Sequence, residues 1–116
     1  MKILLVDDNQ KMRSMVRELI GARSHDFYEA SDGAVAVQCY LDYRPDMVVM
    51  DIELSAMDGL TATKKIIEKD ANANIIVLTT YNTAAYRDAA MSAGAKHFFG
   101  KENLMSLRSF VSGMTQ

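Results

Sequence analysis

The sequence Ile3-Leu4-Leu5-Val6-Asp7-Asp8 places four apolar residues directly before two acidic ones. Continuous apolar runs of this length are typical of strands that are buried on both faces, as in parallel sheets covered by helices. The runs at residues 47–50 and 75–78 have the same continuous character. More interrupted runs at residues 27–30 and 96–99 bring the number of predicted strands to five.

Segments with helical spacing separate these runs. Met12, Met15, Val16, Leu19 and Ile20 recur at intervals of three and four residues, which predicts one helix face packed against the sheet. Residues suited to begin or end helices stand between the segments, with N-caps at Asn9, Ser31 or Asp32, Asp58 and Thr83 and stops at Gly21 and Gly94.

Strand and helix therefore alternate five times along the chain. This alternation predicts an α/β fold in which a five-stranded parallel sheet carries helices on both faces. For five strands, the flavodoxin-like order 2-1-3-4-5 is the natural prediction. One domain, residues 1–116, accounts for the whole chain, and the tail at residues 112–116 is the only piece that resembles a linker.

Composition limits the classes of function. The chain has 116 residues, is 49% hydrophobic and 24% charged, and carries a formal net charge of −2 at pH 7. This charge argues against direct binding of nucleic acid. A single cysteine, Cys39, suits a reducing compartment. No run approaches the roughly 18 apolar residues of a membrane span, so we expect a cytoplasmic domain without a membrane partner.

Polar residues follow four of the five predicted strands. Asp7 and Asp8 follow the first, Asp51 the third, Thr79 the fourth and Lys101 the fifth. Ligands of such sheets bind at the carboxyl ends of the strands, where the strand order reverses. Because the first and third strands are predicted neighbours, the three aspartates should meet there. An all-oxygen cluster favours Mg²⁺, or Mn²⁺, over zinc.

These residue types suit a phosphoryl group carried by a carboxylate. An aspartate can act as a nucleophile and form an aspartyl phosphate. A metal ion, a lysine and a hydroxyl would then offset the charge of the phosphoryl oxygens. Taken singly, each residue has a simpler interpretation, since an aspartate after a strand is more often a helix cap and a lone lysine is usually solvated. Their joint placement at one edge favours the phosphoryl site.

Five short motifs stand in order along the chain: Leu5-Val6-Asp7-Asp8, Met50-Asp51-Ile52-Glu53, Met57-Asp58-Gly59, Val77-Leu78-Thr79-Thr80 and Ala93-Gly94-Ala95, the last followed by Phe98 and Lys101. In this order and at these separations the chain resembles the receiver domain of two-component response regulators over essentially its whole length. The resemblance implies a signalling domain that supports its own phosphorylation and dephosphorylation, and not an enzyme that turns over an external substrate.

The resemblance also implies roles for the acidic residues. Asp51 would be the phosphoacceptor and a ligand of Mg²⁺. Asp8 would bind the ion directly, and Asp7 more remotely through water. The backbone carbonyl of Glu53 would complete the ligands that the protein supplies. The phosphoryl donor would be a sensor histidine kinase, a phosphotransfer protein or a small acyl phosphate.

A switch follows from the same resemblance. Thr79 and Lys101 would contact the phosphoryl oxygens, Thr79 would move toward them, and the ring of Phe98 would turn inward behind it. The surface formed by the fourth helix, fifth strand and fifth helix would then change and control a transcriptional output or a protein partner. Formation of a homodimer on phosphorylation is a further expectation.

The sequence departs from the family pattern in two loops. Leu54-Ser55 stands where many members have Met-Pro, and Lys101-Glu102 stands where Lys-Pro is usual. The segment around Thr79 and Tyr86 resembles receivers of regulators that carry a C-terminal helix-turn-helix. Because no such output domain follows in this chain, two alternatives stay open: a receiver that acts alone, and one cut from a longer regulator, which we favour slightly.

Three other functions compete with this interpretation. A degenerate receiver would act only as a binding module. An aspartyl-nucleophile phosphohydrolase would carry an Asp-x-Asp pattern after its first strand. In this chain the comparable residues, Asp51-Ile52-Glu53, follow the third strand. A flavin-binding protein would need a phosphate loop after the first strand, where Asp7-Asp8-Asn9 would repel the flavin phosphate.

Overall fold

The computed structural model describes residues 1–114, so Thr115 and Gln116, the end of the linker-like tail, lie outside the described residues. Strands and helices alternate along this part of the chain. Their bounds are β1 (Lys2–Val6), α1 (Gln10–Ile20), β2 (Asp26–Ala30), α2 (Gly33–Tyr43), β3 (Met47–Met50), α3 (Gly59–Lys69), β4 (Ile75–Thr79), α4 (Ala84–Ala93), β5 (His97–Gly100) and α5 (Leu104–Met114), with a 3₁₀ turn (Lys101–Asn103) between β5 and α5.

The sheet confirms the predicted topology. All five strands are parallel, and their order is β2-β1-β3-β4-β5. Helices α1 and α5 contact each other on one face of the sheet, while α2, α3 and α4 form a continuous row on the other. The predicted α/β class and the helices on both faces are therefore confirmed.

Double-sided burial explains the continuous apolar runs. In β1, Leu4 and Val6 join the core under α2, α3 and α4, whereas Ile3 and Leu5 join the core under α1 and α5. Residues of β3 and β4 alternate between the two cores in the same way. Successive side chains of a strand point to opposite faces, so a strand covered on both sides needs an apolar residue at every position.

The helix ends follow the sequence signals. The side chains of Asn9, Asp32, Asp58 and Thr83 each accept a hydrogen bond from a backbone N–H in the first turn of α1, α2, α3 and α4. Of the two predicted caps for α2, Asp32 rather than Ser31 is used. Helices α1 and α4 end at Gly21 and Gly94, whose positive φ angles of 124° and 111° suit glycine.

The prediction that Met15 packs into the core is wrong. Val16 is buried and Met12 is half-buried, but the Met15 residue is 52% exposed. Helix α1 rests on the sheet through a narrow stripe centred on Val16. Met15 lies on its flank, in a shallow groove between α1 and α5.

Two boundaries also differ from the predictions. Thr79 is the last residue of β4 and not the first residue after it, and β5 begins at His97 and not at Lys96. The linker-like residues 112–114 continue α5, because Val111 and Leu107 anchor that helix in the core. None of the helices within residues 1–114 is long and apolar enough to cross a lipid bilayer.

Helix α4 buries little of its surface against the core. Of its ten residues Ala90 alone is buried, whereas α3 of similar length buries four, including Ile66. The loop before α4 is equally open, since residues 80–83 are all exposed. This helix therefore follows β4 without a large apolar side chain that fixes it to the core.

The start of α3 is locked against the end of β3 by Gly59. Its backbone N–H donates a hydrogen bond of 2.8 Å to the carbonyl oxygen of Ile52. A Cβ atom at this position would overlap the carbonyl oxygen of Asp51, which belongs to the backbone and cannot rotate away. The approach of α3 to the carboxyl end of β3 therefore requires glycine.

Substitution of Gly59 by alanine should destabilise the fold. The added methyl group must displace the backbone at Asp51, and overpacking of this kind costs about 1–3 kcal/mol. Urea denaturation should report a lower free energy of unfolding for Gly59→Ala. The control is Gly113→Ala, because nothing lies within 4 Å of a Cβ atom there. Equal stability of Gly59→Ala and the wild type would contradict the packing described.

Candidate functional site

Parallel pairing of β1 with β3 brings the acidic residues together. Val6 lies opposite Met50 in the sheet, so Asp7 and Asp51 leave the sheet side by side. The N–H of Asp51 donates to the carbonyl oxygen of Val6 at 2.9 Å. Carboxylate oxygens of Asp7, Asp8 and Asp51 all lie within 4.8 Å of one another. Asp7 and Asp51 are each 6% exposed, whereas Asp8 is an exposed residue.

Lys101 joins this cluster from the end of β5. Its Nζ atom lies 2.8 Å from Oδ2 of Asp7 and 3.1 Å from Oδ2 of Asp51, and its side chain is only 12% exposed. One ammonium and three carboxylates leave two net negative charges in the cluster. A divalent cation has the charge that would balance them.

Burial and charge set the protonation of the cluster. Burial raises the pKa of Asp51, the charge of Lys101 opposes this, and the charge of Asp7 reinforces it, so that the pKa is raised overall. Burial by itself would lower the pKa of Lys101. Hydrogen bonds and charges from Asp7 and Asp51 outweigh the burial and raise that pKa, so Lys101 stays protonated at neutral pH.

The cluster opens into a cleft of about 410 Å³ at the carboxyl edge of the sheet. This volume is equivalent to about a dozen water molecules in the liquid, which accommodates a hydrated cation together with a phosphoryl group. Two of the aspartates lie at its base and Asp8 at its rim. The lining residues are Asp7, Asp8, Asn9, Asp51, Glu53, Leu54, Ser55, Thr80 and Lys101.

The donor atoms of this cleft suit a hard cation. Its ionisable lining consists of carboxylates and one lysine, with neither histidine nor cysteine. Mg²⁺ and Mn²⁺ prefer oxygen ligands, and Mg²⁺ usually keeps several waters in an open site. Asp7, Asp8 and Asp51 would hold such an ion, and the backbone of Glu53 lies at the same cleft. The residues present therefore fit Mg²⁺.

Thr79 lies outside the lining of the cleft. Its side chain is completely buried, and its Oγ1 atom accepts a hydrogen bond of 3.2 Å from the N–H of Tyr81. The exposed neighbour Thr80 lines the cleft instead. The structure thus brings together the aspartates and the lysine, while the Thr79 hydroxyl is engaged with its own loop.

Phe98 is half-buried behind this loop. Its ring packs against the core that α2, α3 and α4 cover, and the guanidinium of Arg87 on α4 lies 5.6 Å from the ring centre. Glu53 lines the cleft, and its carboxylate accepts a hydrogen bond from the side chain of Tyr81. A hydrogen bond to Glu53 and the charge of that carboxylate raise the pKa of Tyr81.

The side chains that surround the acidic pair could not be identified from the sequence. Asn9 lines the cleft in addition to capping α1. Arg13 on α1 is nearly buried and pairs with Glu29 on β2. An arginine on a polar helix face usually extends into solvent, and sixteen residues separate it from its partner, so the sequence carries no pattern that links the two.

Comparison with known proteins agrees with this geometry. The model of the response regulator receiver domain family matches residues 3–111. Chemotaxis protein CheY of Halobacterium salinarum is 39% identical over 100 residues, which cover 86% of this chain and 83% of that protein. Chemotaxis protein CheY of Bacillus subtilis is 40% identical over 101 residues, covering 86% and 84%.

Solved structures give the same result. A chain of the CheX-CheY-BeF3-Mg+2 complex from Borrelia burgdorferi has a TM-score of 0.89 and 25% identity, covering 99% of this chain and 89% of that one. A LuxR-family two-component response regulator from Aurantimonas has a TM-score of 0.84 and 32% identity, covering 97% and 85%. With its fold, its acidic cleft and the family match over nearly its full length, this chain belongs to the response regulator receiver domain family.

Proposed function

We propose that this chain accepts a phosphoryl group on Asp51 with the help of Mg²⁺ held by Asp7, Asp8 and Asp51. The donor is a sensor histidine kinase, a phosphotransfer protein or a small acyl phosphate. The observation that supports this most directly is the position of Lys101, whose ammonium contacts both Asp7 and Asp51 at the base of an open acidic cleft. Receiver domains are signalling modules, and this arrangement suits a reversible modification rather than turnover.

Each residue of the cluster has a task in the transfer. An ionised Asp51 oxygen attacks phosphorus, and the bond from phosphorus to the donor's nitrogen or oxygen breaks as the new P–O bond forms. Mg²⁺ held by Asp7, Asp8 and Asp51 would supply positive charge to the phosphoryl oxygens and reduce their repulsion of the attacking carboxylate. Lys101 lies 3.1 Å from an Asp51 oxygen, close enough to donate to a phosphoryl oxygen attached there.

Hydrogen bonds hold the Asp51 carboxylate in a defined orientation. Its Oδ1 atom accepts a hydrogen bond of 2.8 Å from the N–H of Ile52, while Oδ2 contacts Lys101. These contacts fix the plane of the carboxylate before the donor arrives. Positioning of this kind lowers the entropic part of the barrier.

The proposed switch begins at Thr79. To bind a phosphoryl oxygen, the Thr79 hydroxyl exchanges its contact with the Tyr81 N–H for a new partner at the cleft. The residues that follow are exposed and Phe98 lies behind them, so this movement would alter the surface formed by α4, β5 and α5. Phosphorylation needs only to favour one of two conformations already accessible.

The switch could act through either of two outputs, control of transcription or binding of a partner protein. The names of the similar proteins include chemotaxis proteins and LuxR-family regulators. A transcriptional output would require a DNA-binding domain in addition to the receiver, whereas a partner protein would bind the altered surface directly. Dimerisation on phosphorylation, the lack of direct nucleic acid binding and a cytoplasmic location remain predictions.

Acetyl phosphate with Mg²⁺ should add one phosphoryl group to the wild-type chain and none to Asp51→Asn. Asparagine preserves the shape of the side chain but lacks the nucleophilic carboxylate. Intact mass spectrometry measures the addition. If the wild type shows no addition, amide spectra with beryllium fluoride distinguish rapid hydrolysis from a site that cannot accept the group. Equal phosphorylation of the variant would refute the assignment of Asp51.

Replacement of Asp8 by asparagine should weaken Mg²⁺ binding. Loss of one full negative charge beside the ion corresponds to at least about a tenfold rise in Kd, or about 1.4 kcal/mol. Titration followed by amide chemical shifts gives the Kd. The matched control is Asp88→Asn, an exposed aspartate on α4 outside the cleft. An unchanged Kd for Asp8→Asn would count against the metal site.

In metal-free buffer, Asp51→Asn should be more stable than the wild type at pH 7. The raised pKa means that the folded environment disfavours the ionised carboxylate, and Lys101 keeps its contact with Asp7. A raised pKa contributes stability at low pH that is lost as pH rises. The free energy of unfolding of Asp51→Asn, measured by urea denaturation, should therefore exceed that of the wild type by an amount that grows from about pH 4 upward. A difference between the two proteins that does not change with pH would contradict the raised pKa of Asp51.

A further inference from the structure

Arg13 occupies an unusual position for a charged residue on a helix. It lies in the second turn of α1, and its side chain folds back toward the acidic cleft with 14% exposure. Its Nη1 atom donates a hydrogen bond of 2.5 Å to the backbone carbonyl oxygen of Asp7. Its Nε atom lies 2.8 Å from a carboxylate oxygen of Glu29 on β2. The guanidinium therefore joins β2 to the loop that carries the acidic pair.

The carbonyl that Arg13 contacts belongs to the peptide plane between Asp7 and Asp8. Because the peptide is planar, its oxygen and both flanking Cα atoms move together, so a contact at the oxygen restrains both. On the other side, the N–H of Asp7 donates to the carbonyl oxygen of Ala30 on β2 at 3.1 Å. The backbone that leads into Asp8 is thus restrained on both sides.

Asp8 depends on this restraint more than its neighbour does. The Asp7 carboxylate is held by the N–H of Asn9 and by Lys101, at 2.9 Å and 2.8 Å. Within residues 1–114, no hydrogen bond holds the exposed carboxylate of Asp8. The direction in which Asp8 leaves the backbone is therefore set by the peptide plane that Arg13 contacts.

We propose that Arg13 is a positioning residue for the metal site, which acts through the Asp7 carbonyl to hold Asp8 in the direction that binds Mg²⁺. This inference rests on the proposed function of the acidic cluster. Glu29 has the complementary task of fixing the guanidinium fork, whose planar geometry lets one side chain contact a carbonyl and a carboxylate together. Groups that orient metal ligands in this way typically change metal affinity by about 10–100-fold.

The direction in which Mg²⁺ affinity changes when Arg13 is replaced distinguishes a positioning role from a purely electrostatic one. Removal of a positive charge near a cation site should by itself strengthen cation binding, because it removes repulsion. Removal of a positioning residue should weaken binding. Arg17 provides a matched control, since it lies one turn further along α1 and pairs with the same Glu29 at 3.4 Å, but is 41% exposed.

The experiment compares Mg²⁺ titrations of the wild type, Arg13→Gln and Arg17→Gln by amide chemical shifts, without a phosphoryl donor. We expect Arg13→Gln to raise the Kd about tenfold, and Arg17→Gln to leave it unchanged or lower it slightly. If Arg13→Gln does not fold, Arg13→Lys decides in the same way, because lysine keeps the charge but lacks the fork.

An Arg13 variant that binds Mg²⁺ as tightly as the wild type, or more tightly, would overturn this inference and leave the proposed function intact. A loss of affinity in Arg17→Gln equal to that in Arg13→Gln would also overturn it, since charge or helix stability would then explain both. Failure of the wild type to bind Mg²⁺ would overturn the proposed function together with the inference.

Discussion

Strands β1, β3 and β4 are covered by helices on both faces, and the rest of the architecture depends on this constraint. A strand with two buried faces has no polar side chain along its length, so its polar residues are confined to its ends. Because all strands are parallel, the carboxyl ends of the strands share one edge of the sheet. The apolar interior of the sheet and the concentration of charge at one edge therefore have the same cause.

The charged edge is built at the expense of stability. Three carboxylates within 4.8 Å of one another repel, and the raised pKa of Asp51 reflects the burial of a group that would be better solvated. Lys101 offsets part of this through its contacts with Asp7 and Asp51. Sites that bind and transfer charged groups commonly retain such unfavourable contacts, because a relaxed site would have less affinity for the incoming cation.

The strands, helix caps and meeting of the three aspartates could be predicted from sequence because local rules determine them. Continuous apolar runs indicate buried strands, and Asn9 or Asp58 before a helix indicates a cap. Tertiary packing decided the rest. Met15 is exposed because α1 contacts the sheet only along a narrow stripe. The Thr79 hydroxyl lies away from the cleft because it accepts a hydrogen bond from the loop that follows β4. The Arg13–Glu29 pair links α1 to β2, a contact that neither segment's pattern contains.

Ala90 is the one residue of α4 that is buried in the core, and this limited burial has a thermodynamic consequence. The free energy needed to displace an element from its native position grows with the apolar surface that it must expose. For α4 that surface is small, so its local opening equilibrium lies closer to balance than that of α3. If the Thr79 hydroxyl donates to a phosphoryl oxygen as proposed, that one new hydrogen bond, of about 1 kcal/mol, would be a sizeable share of the energy that holds α4 in place. The limited apolar burial of α4, compared with that of α3, therefore makes it the easier of the two helices to displace.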